Sequence, residues 1–181
     1  NNFFTQCVYR PFDWRAYYHH KDIVELPRSE VVKNILQEGA FGLCATRQVN
    51  GAFMHAMCTE HPVTDCTISS ASKERTYLFP LFIYPETSDG ERSILGDKRH
   101  PNFADSFWNE ICQKLKFEPT PESIFFYIVA ILHSPGYRNR YADFLKIDFP
   151  RIPLTSDSDF FHKLASYGKG IFKLYLLKSR S

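Results

Sequence analysis

Two histidines and two cysteines lie close together near the middle of the chain, and their side chains are of the types that bind zinc. They are His55, Cys58, His61 and Cys66, and Cys44 lies a short distance before them. Zinc sites usually contain paired cysteines or a spaced histidine pair, and this order of residues fits neither pattern. On a strand, His55 and Cys58 would also point to opposite faces. The sequence therefore favours buried thiols and strand-end histidines, and a small metal-dependent enzyme stays open as an alternative.

The rest of the sequence shows no other arrangement typical of catalysis. His19 and His20 are adjacent, so their side chains would diverge on a strand and could not easily face one ion. The sequence contains no P-loop, no G-x-G-x-x-G, no G-x-S-x-G and no H-E-x-x-H. It also lacks the Asn/Asp-Pro-Pro-Tyr/Phe motif with which amino-methyltransferases hold a flipped base. We therefore predict a chain that is not itself an enzyme and has no cofactor of its own.

Polar side chains at predicted strand ends and turns favour a different chemistry. Arg can donate two hydrogen bonds to guanine, and Gln or Asn can bind adenine, so these types at loop tips suit readout of double-stranded DNA in the major groove. A polar turn with Ser and Lys could contact phosphates. Because loop tips are polar in most proteins, no single member of the set is diagnostic. The candidate DNA contacts are Arg10, Arg15, Arg47, Gln48, Asn50, Ser70, Lys73 and Arg75.

The composition is that of a folded domain. The chain has 181 residues, of which 44% are hydrophobic, so it can bury a sizeable core. Its net charge of +2 does not by itself indicate a nucleic-acid binder, although residues 151–181 are clearly basic. A domain that shares DNA contacts with larger neighbours need not be strongly basic. Five cysteines without regular spacing favour reduced thiols, and hence a cytoplasmic protein.

The sequence predicts neither a signal peptide at its start nor a membrane-spanning segment. The longest apolar run, residues 124–132, is far shorter than the roughly 20 residues that span a bilayer. The chain begins Asn1-Asn2-Phe3, without Met or a signal peptide, so we expect a piece of a longer protein with no membrane partner.

The sequence predicts an α+β fold in which residues 1–101 are mostly antiparallel β structure within a mixed sheet. Residues 29–38 predict a short helix ended by Gly39, and residues 85–101 predict a polar loop. Asn50-Gly51 favours a tight hairpin turn, and Pro80 should lie at an edge or bulge because it cannot donate to a ladder. Residues 7–26 alternate aromatic and polar positions around Pro11, which predicts short strands or an extended arm. Further strands are predicted at 41–47, 52–59, 63–69 and 76–84.

Residues 102–181 predict the helical half of the same domain. Asp105 is expected to cap one helix, and Thr120-Pro121 and Ser134-Pro135 are start signals for the next two. The helix over 121–133 is apolar nearly all round and should be buried. On the Arg/Tyr helix that follows, Arg138 and Arg140 fit a solvated face better than a face that contacts the DNA backbone. Residues before proline avoid the helical region, so 149–153 should be extended. An amphipathic helix is predicted over 157–178.

The order of these segments resembles the C-terminal target-recognition region of type ISP restriction-modification enzymes and related adenine-N6 DNA methyltransferases. The similarity is best over residues 122–154, where an apolar helix, Ser134-Pro135, an Arg/Tyr helix and a Pro-rich arm follow one another. Weaker matches are YRPFDxRxYY from residue 9, LxxTRQ from residue 43, residues 55–65, and FPLxxYP from residue 79. They occur in the family's order, so the resemblance covers nearly the whole chain.

This resemblance implies a single target-recognition domain over residues 1–181 that chooses the DNA site for an adenine-N6 methyltransferase domain lying upstream. S-adenosylmethionine would bind that upstream domain, and the target adenine would be flipped into it. The β half would face the DNA. The positions that match the recurring family pattern are Arg10, Arg15, Thr46, Arg47 and Gln48.

A different class of function remains open from the residues alone. The near-neutral charge also fits a non-catalytic interaction or scaffold module that docks a partner through the 157–178 helix and does not touch nucleic acid. DNA binding and its salt dependence would distinguish the two hypotheses.

Overall fold

The computed structural model describes residues 4–20, 22–24, 28–71, 74–85 and 99–178. Small antiparallel sheets form the N-terminal half and helices form the C-terminal half, which confirms the predicted α+β class. The strands of the described residues are β1 Phe4–Arg10, β2 Asp13–Tyr18, β3 Gly42–Thr46, β4 Ala56–Thr59, β5 Thr76–Pro80, β6 Phe82–Ile83 and β7 His100–Pro101. The helices are α1 Ser29–Ile35, α2 Asp105–Leu115, α3 Pro121–His133, α4 Pro135–Arg140, α5 Ala142–Leu145 and α6 Ser158–Tyr175.

Strands β1 and β2 form an antiparallel hairpin around Pro11, so of the two alternatives for residues 7–26 the structure has short strands. Phe12 closes the turn with a positive φ of 64°, and the ladder slips between Val8 and Arg10. The ring of Phe12 also stacks on Tyr175 of α6, with centroids 6.2 Å apart. The hairpin therefore contacts the helical half through its turn.

The three-stranded sheet has the order β4–β3–β5, and both ladders are antiparallel. Pro80 ends the edge strand β5, as its missing N–H predicts. Gly42 is required opposite it, because a Cβ there would lie 2.8 Å from the Phe79 carbonyl oxygen. The sheet thus packs its strands closely at the end where β3 begins.

The predicted strand over 52–59 is wrong in its first half. Strand β4 begins only at Ala56, and residues 47–55 form a longer loop in place of a tight turn. Asn50 and Gly51 do not adopt positive φ. Val49 and Phe53 instead bury their side chains against the helices, which draws the chain out of the ladder. Burial of apolar side chains here outweighs the turn preference of Asn-Gly.

The predicted strand over 63–69 is also wrong. A single bridge joins Val63 to Val8, and the chain then turns. The Thr67 hydroxyl donates to the Val8 carbonyl oxygen at 2.7 Å and accepts from the Thr64 N–H at 2.8 Å. These threonine side chains offer the backbone an alternative to ladder hydrogen bonds.

Side-chain caps begin α3, α4 and α6 where the sequence predicts them. Thr120, Ser134 and Asp157 each accept a hydrogen bond from the backbone N–H three residues on. The predicted cap at Asp105 is wrong, because Ala104 holds the cap position and Asp105 is the first helical residue. Its carboxylate still lies in the first turn, where the helix dipole favours negative charge.

Other helix boundaries differ slightly from the prediction. Helix α1 ends at Ile35, before Gly39, and the single Arg/Tyr helix is divided into α4 and α5 at Tyr141, whose φ is −110°. Residues 149–153 contain no helix, as Pro150 and Pro153 predict. The polar loop predicted over 85–101 falls mostly outside the described residues, and its last two residues form β7.

The core lies where α3 crosses α6 and faces the sheet. Ile124, Val129 and Phe161 are fully buried, as expected for a helix that is apolar nearly all round and for the inner face of α6. At Gly168 the α6 backbone touches Phe126 of α3, where an added Cβ would lie only 1.8 Å from the carbonyl oxygen. Among the described helices, none is long and apolar enough to span a bilayer.

Candidate nucleic-acid interface

Glu74 joins the two polar segments in which most of the predicted DNA contacts lie. One carboxylate oxygen accepts from the Asn50 backbone N–H at 2.6 Å. The other accepts from the Ser69 hydroxyl at 2.6 Å and lies 3.1 Å from His55 Nε2. The side chain is only 6% exposed. Glu74, Asn50, Ser69 and His55, called the Glu74 cluster below, therefore tie the β3–β4 loop (residues 47–55) to the 65–75 segment.

The hydrogen bonds of the Glu74 cluster favour the charged form of its carboxylate. The Asn50 N–H and the Ser69 hydroxyl, in that order, hold the pKa of the Glu74 carboxyl below its usual value. Because Met54 N–H donates to His55 Nδ1 at 3.2 Å, the imidazole donates to Glu74 through Nε2. Ser69 donates to the carboxylate and not to the imidazole, so its hydroxyl is not paired with a histidine base as in a Ser-His-Asp site.

The β3–β4 loop presents polar side chains while its apolar residues anchor it. Arg47 and Asn50 are exposed and Gln48 is half-buried. Val49 and Phe53 are buried in the helical core, and the Val49 N–H donates to the Lys146 carbonyl oxygen at 3.3 Å. The loop is thus fixed on one side by the helices and on the other by Glu74, with its polar residues facing outwards.

Arg47 makes a long-range ion pair at the outer edge of this loop. Its Nε donates to Asp148 Oδ1 at 3.1 Å, and both side chains are more than half exposed. The Phe149 N–H and then Arg47 hold the pKa of the Asp148 carboxyl below its usual value. Exposed pairs of this kind contribute little to stability, so the guanidinium can exchange its carboxylate for another acceptor at small cost.

The predicted contacts of the second polar segment flank Glu74. Ser70 and Arg75 are exposed, and Arg75 directly follows Glu74 in the chain. Lys73 lies outside the described residues. Ser70 and Arg75 thus lie on a segment that Ser69 and Glu74 fix to the β3–β4 loop.

Thr46 lies beneath this surface. Its side chain is 1% exposed at the end of β3, and its hydroxyl is buried without a hydrogen-bond partner among the described residues. In this arrangement Thr46 supports the loop from below, and its hydroxyl does not reach the surface.

The β1–β2 hairpin holds the remaining two predicted contacts against one tyrosine ring. The Arg10 and Arg15 guanidinium carbons lie 4.5 Å and 3.7 Å from the Tyr9 ring centroid. Arg10 also donates to the Cys66 carbonyl oxygen at 2.7 Å, and Arg15 pairs with Asp13 at 3.0 Å. Arg10 therefore ties the hairpin to the 65–75 segment, while Arg15 is more than half exposed.

The residues proposed above as zinc ligands do not come together around one point among the described residues. His55 binds Glu74, and Cys44 and Cys58 are buried in strands, where burial raises the pKa of both thiols. Within the described ranges there is no group of three or more His, Cys, Asp or Glu side chains that could hold a metal ion.

The sequence does not indicate two features of the candidate interface, Glu74 and Asp148. Glu74 stands in a polar turn, and its partners Asn50 and His55 are far away in sequence, so nothing local marks it as buried. Asp148 is likewise distant from Arg47 in the sequence.

These features describe an α+β domain with a polar, Arg-bearing loop surface held by buried hydrogen bonds. The family model described as "Type ISP C-terminal specificity domain" matches residues 1–181, so the chain belongs to that family. The resemblance seen in the sequence is thereby confirmed. A search of curated proteins gives no match.

Solved structures share this fold. A cryo-EM structure of a DrdV–DNA complex is 24% identical with a TM-score of 0.73, and the match covers 96% of this chain and 16% of that one. A nuclease-deletion mutant of the Type ISP restriction-modification enzyme LlaGI with a DNA substrate mimic is 21% identical, with a TM-score of 0.66 and coverages of 96% and 14%. The ATP-dependent Type ISP enzyme LlaBIII bound to DNA is 15% identical, with a TM-score of 0.74 and coverages of 99% and 11%. This chain thus spans about a sixth or less of each relative.

Proposed function

We propose that this domain reads the target DNA sequence for an adenine-N6 methyltransferase domain that precedes it in the same polypeptide. The observation that carries the proposal is the β3–β4 loop, whose exposed Arg47 and Asn50 are held outwards by buried anchors on both sides. Side chains that read base edges need such fixed positions, because a bidentate hydrogen bond tolerates little displacement. Membership of the Type ISP specificity family and the DNA-bound state of three structural relatives support this proposal.

The proposed division of labour leaves chemistry to the preceding domain. The hydrogen bonds of the Glu74 cluster orient its carboxylate, which supports a positioning role for it rather than a catalytic one. The target adenine and S-adenosylmethionine would bind the methyltransferase domain, which must extract the base from the stack to reach it. This chain would contribute contacts to intact duplex DNA and no reacting group.

Within the domain, two surfaces would play different roles. Arg47, Gln48 and Asn50 suit contact with base edges, because Arg binds guanine and Asn or Gln binds adenine through paired hydrogen bonds. Arg15 on the hairpin, with Ser70, Lys73 and Arg75 on the second segment, suits phosphate contact. Arg10 supports this second surface, since its guanidinium is occupied by the Cys66 carbonyl oxygen.

The test of this proposal is Arg47→Ala in the full-length enzyme. Because the Arg47–Asp148 pair is exposed, the free energy of unfolding of the variant should stay within about 0.5 kcal/mol of that of the parent. Loss of one bidentate base contact should lower methylation of the preferred site about tenfold and relax selection at one base pair. Lys114→Ala, which removes an exposed α2 lysine paired with Glu110, is a matched control for lost charge. Unchanged site selection in Arg47→Ala would show that this loop is not the readout surface.

A second candidate function is supported by the outer face of α6. Phe160, Tyr167 and Leu174 recur every seven residues and are 48%, 68% and 59% exposed. Such an apolar stripe on one helix is typical of a surface that packs against another protein element. We infer that this stripe fits the alternative function, an interaction module that docks a partner through α6. If Tyr167→Glu abolished assembly of the longer protein while DNA played no part in its behaviour, the interaction module would be the better account.

A further inference from the structure

We propose that Glu74 is a positioning residue for sequence selection, which sets the β3–β4 loop and the 65–75 segment in register without itself touching DNA. The proposal rests on the proposed DNA-reading function and names a residue outside the contacts predicted from the sequence. Its carboxylate is the one group that receives hydrogen bonds from both segments within the Glu74 cluster.

Burial makes this carboxylate costly unless its hydrogen bonds are complete. A charged group removed from water needs donors for its lone pairs, and Glu74 has three, from Asn50, Ser69 and His55. Two of these belong to the loop and one to the segment that carries Glu74. A displacement of either segment would therefore leave a buried charge with too few donors, which resists relative movement of the two.

The neighbours of the cluster are the candidate contacts themselves. Asn50 donates to Glu74 through its backbone, which fixes the chain direction three residues after Arg47. Arg75 is adjacent to Glu74. The position of one carboxylate thus determines where exposed side chains on both segments point.

A direct role for Glu74 at the DNA is excluded by its surroundings. Its side chain is 6% exposed, and a carboxylate facing phosphates would be repelled. Its effect must therefore act through the residues it holds.

The substitution Glu74→Gln separates the proposed role from simple loss of the fold. The amide oxygen can still accept from Asn50 N–H, and the amide NH₂ can donate to the Ser69 hydroxyl. The NH₂ would, however, face the Nε2–H of His55, so two donors meet and that link is broken. Ser69→Ala is a milder second variant, because it removes one donor and leaves the carboxylate in place.

The experiment selects bound sequences from pooled random duplexes with the full-length protein, and it also measures non-specific affinity, its salt dependence and thermal melting. We expect Glu74→Gln to lower enrichment of the preferred sequence about tenfold, similar to the loss of one bidentate base contact. Non-specific affinity and its salt slope should stay within twofold, because phosphate contacts are unchanged. Ser69→Ala should shift enrichment in the same direction by a smaller factor. Glu118→Gln, an exposed carboxylate on the α2–α3 connection, is the charge-matched control and should behave like the parent.

The results of this experiment distinguish the positioning role of Glu74 from DNA recognition by the domain. The positioning role would be overturned if enrichment stayed unchanged in both Glu74→Gln and Ser69→Ala. It would also be overturned if specific affinity, non-specific affinity and the melting temperature all fell together. Either result would leave DNA recognition intact. A parent protein that enriches no sequence at all would overturn the proposed function, and the positioning role with it.

Discussion

The α3–α6 contact and the Glu74 carboxylate are both buried, but they are held in place by different forces. The contact between α3 and α6 is apolar, with Ile124 and Phe161 fully buried at its centre. The Glu74 cluster is polar, and a single carboxylate receives donors from two segments. Apolar burial is non-directional and stabilises in proportion to area, whereas hydrogen bonds to a buried charge are directional and largely offset the cost of taking that charge out of water.

This difference separates stability from recognition within one domain. The helices can tolerate small adjustments at their surface as long as their buried faces stay apolar and filled. The loops can lose a hydrogen bond and stay folded, but their exposed side chains would then lose their fixed positions. Changes in the helical half should therefore appear mainly in melting, and changes in the cluster mainly in sequence selection.

The largest expected effect is at Phe161. Phe161→Ala removes a fully buried ring that stacks on Tyr127, with ring centroids 5.1 Å apart. The free energy of unfolding should therefore fall by about 4 kcal/mol. Phe160→Ala removes the same atoms from the adjacent, half-exposed position and should cost less than about 1 kcal/mol. Urea titration of both variants checks the contrast. Equal costs would mean that α6 is not packed through the face described here.

The next effect is at the glycines of α6, which differ sharply in their surroundings. Gly168→Ala places a methyl group against the Phe126 carbonyl oxygen, so α3 and α6 must separate, at a cost of about 3 kcal/mol. Gly170→Ala has open space and should stabilise the helix by about 0.5–1 kcal/mol. Thermal melting checks both variants. If their melting temperatures shifted in the same direction, the close contact between α3 and α6 would be contradicted.

The smallest expected effect is at Thr46, on the recognition side. Thr46→Val removes a buried hydroxyl that has no partner among the described residues, so stability should rise by about 1 kcal/mol. Enrichment of DNA sequences should not change, because a 1% exposed side chain cannot reach a base in this arrangement. A higher melting temperature together with weaker enrichment of the preferred sequence would instead show that the hydroxyl reaches DNA in the complex.

The sequence predicts the helical half well because its signals are local. Thr120, Ser134 and Asp157 cap the helices that follow them, and apolar spacing identifies the buried faces of α3 and α6. The Gly168 contact could not be predicted, since the sequence shows only a poor helix former and not the backbone that lies against it.

The recognition side is predicted only in outline. Residue types and predicted turns place Arg47, Asn50 and Arg75 on exposed loops, and the structure describes them there. The burial of Glu74 and the pairing of Arg47 with Asp148 depend on contacts between distant parts of the chain. Local preferences also failed at Asn50-Gly51 and at 63–69, where tertiary packing and threonine hydrogen bonds override strand and turn propensity.

The most direct test of the central proposal is a salt-titrated DNA-binding measurement with pooled random duplexes. It compares this 181-residue chain with the longer protein that includes the proposed methyltransferase domain. We predict binding that weakens steeply with salt and becomes sequence-selective in the longer protein, because phosphate contacts supply affinity and base contacts supply selection. Absence of DNA binding by both proteins at low salt would contradict DNA target recognition and would favour the interaction module.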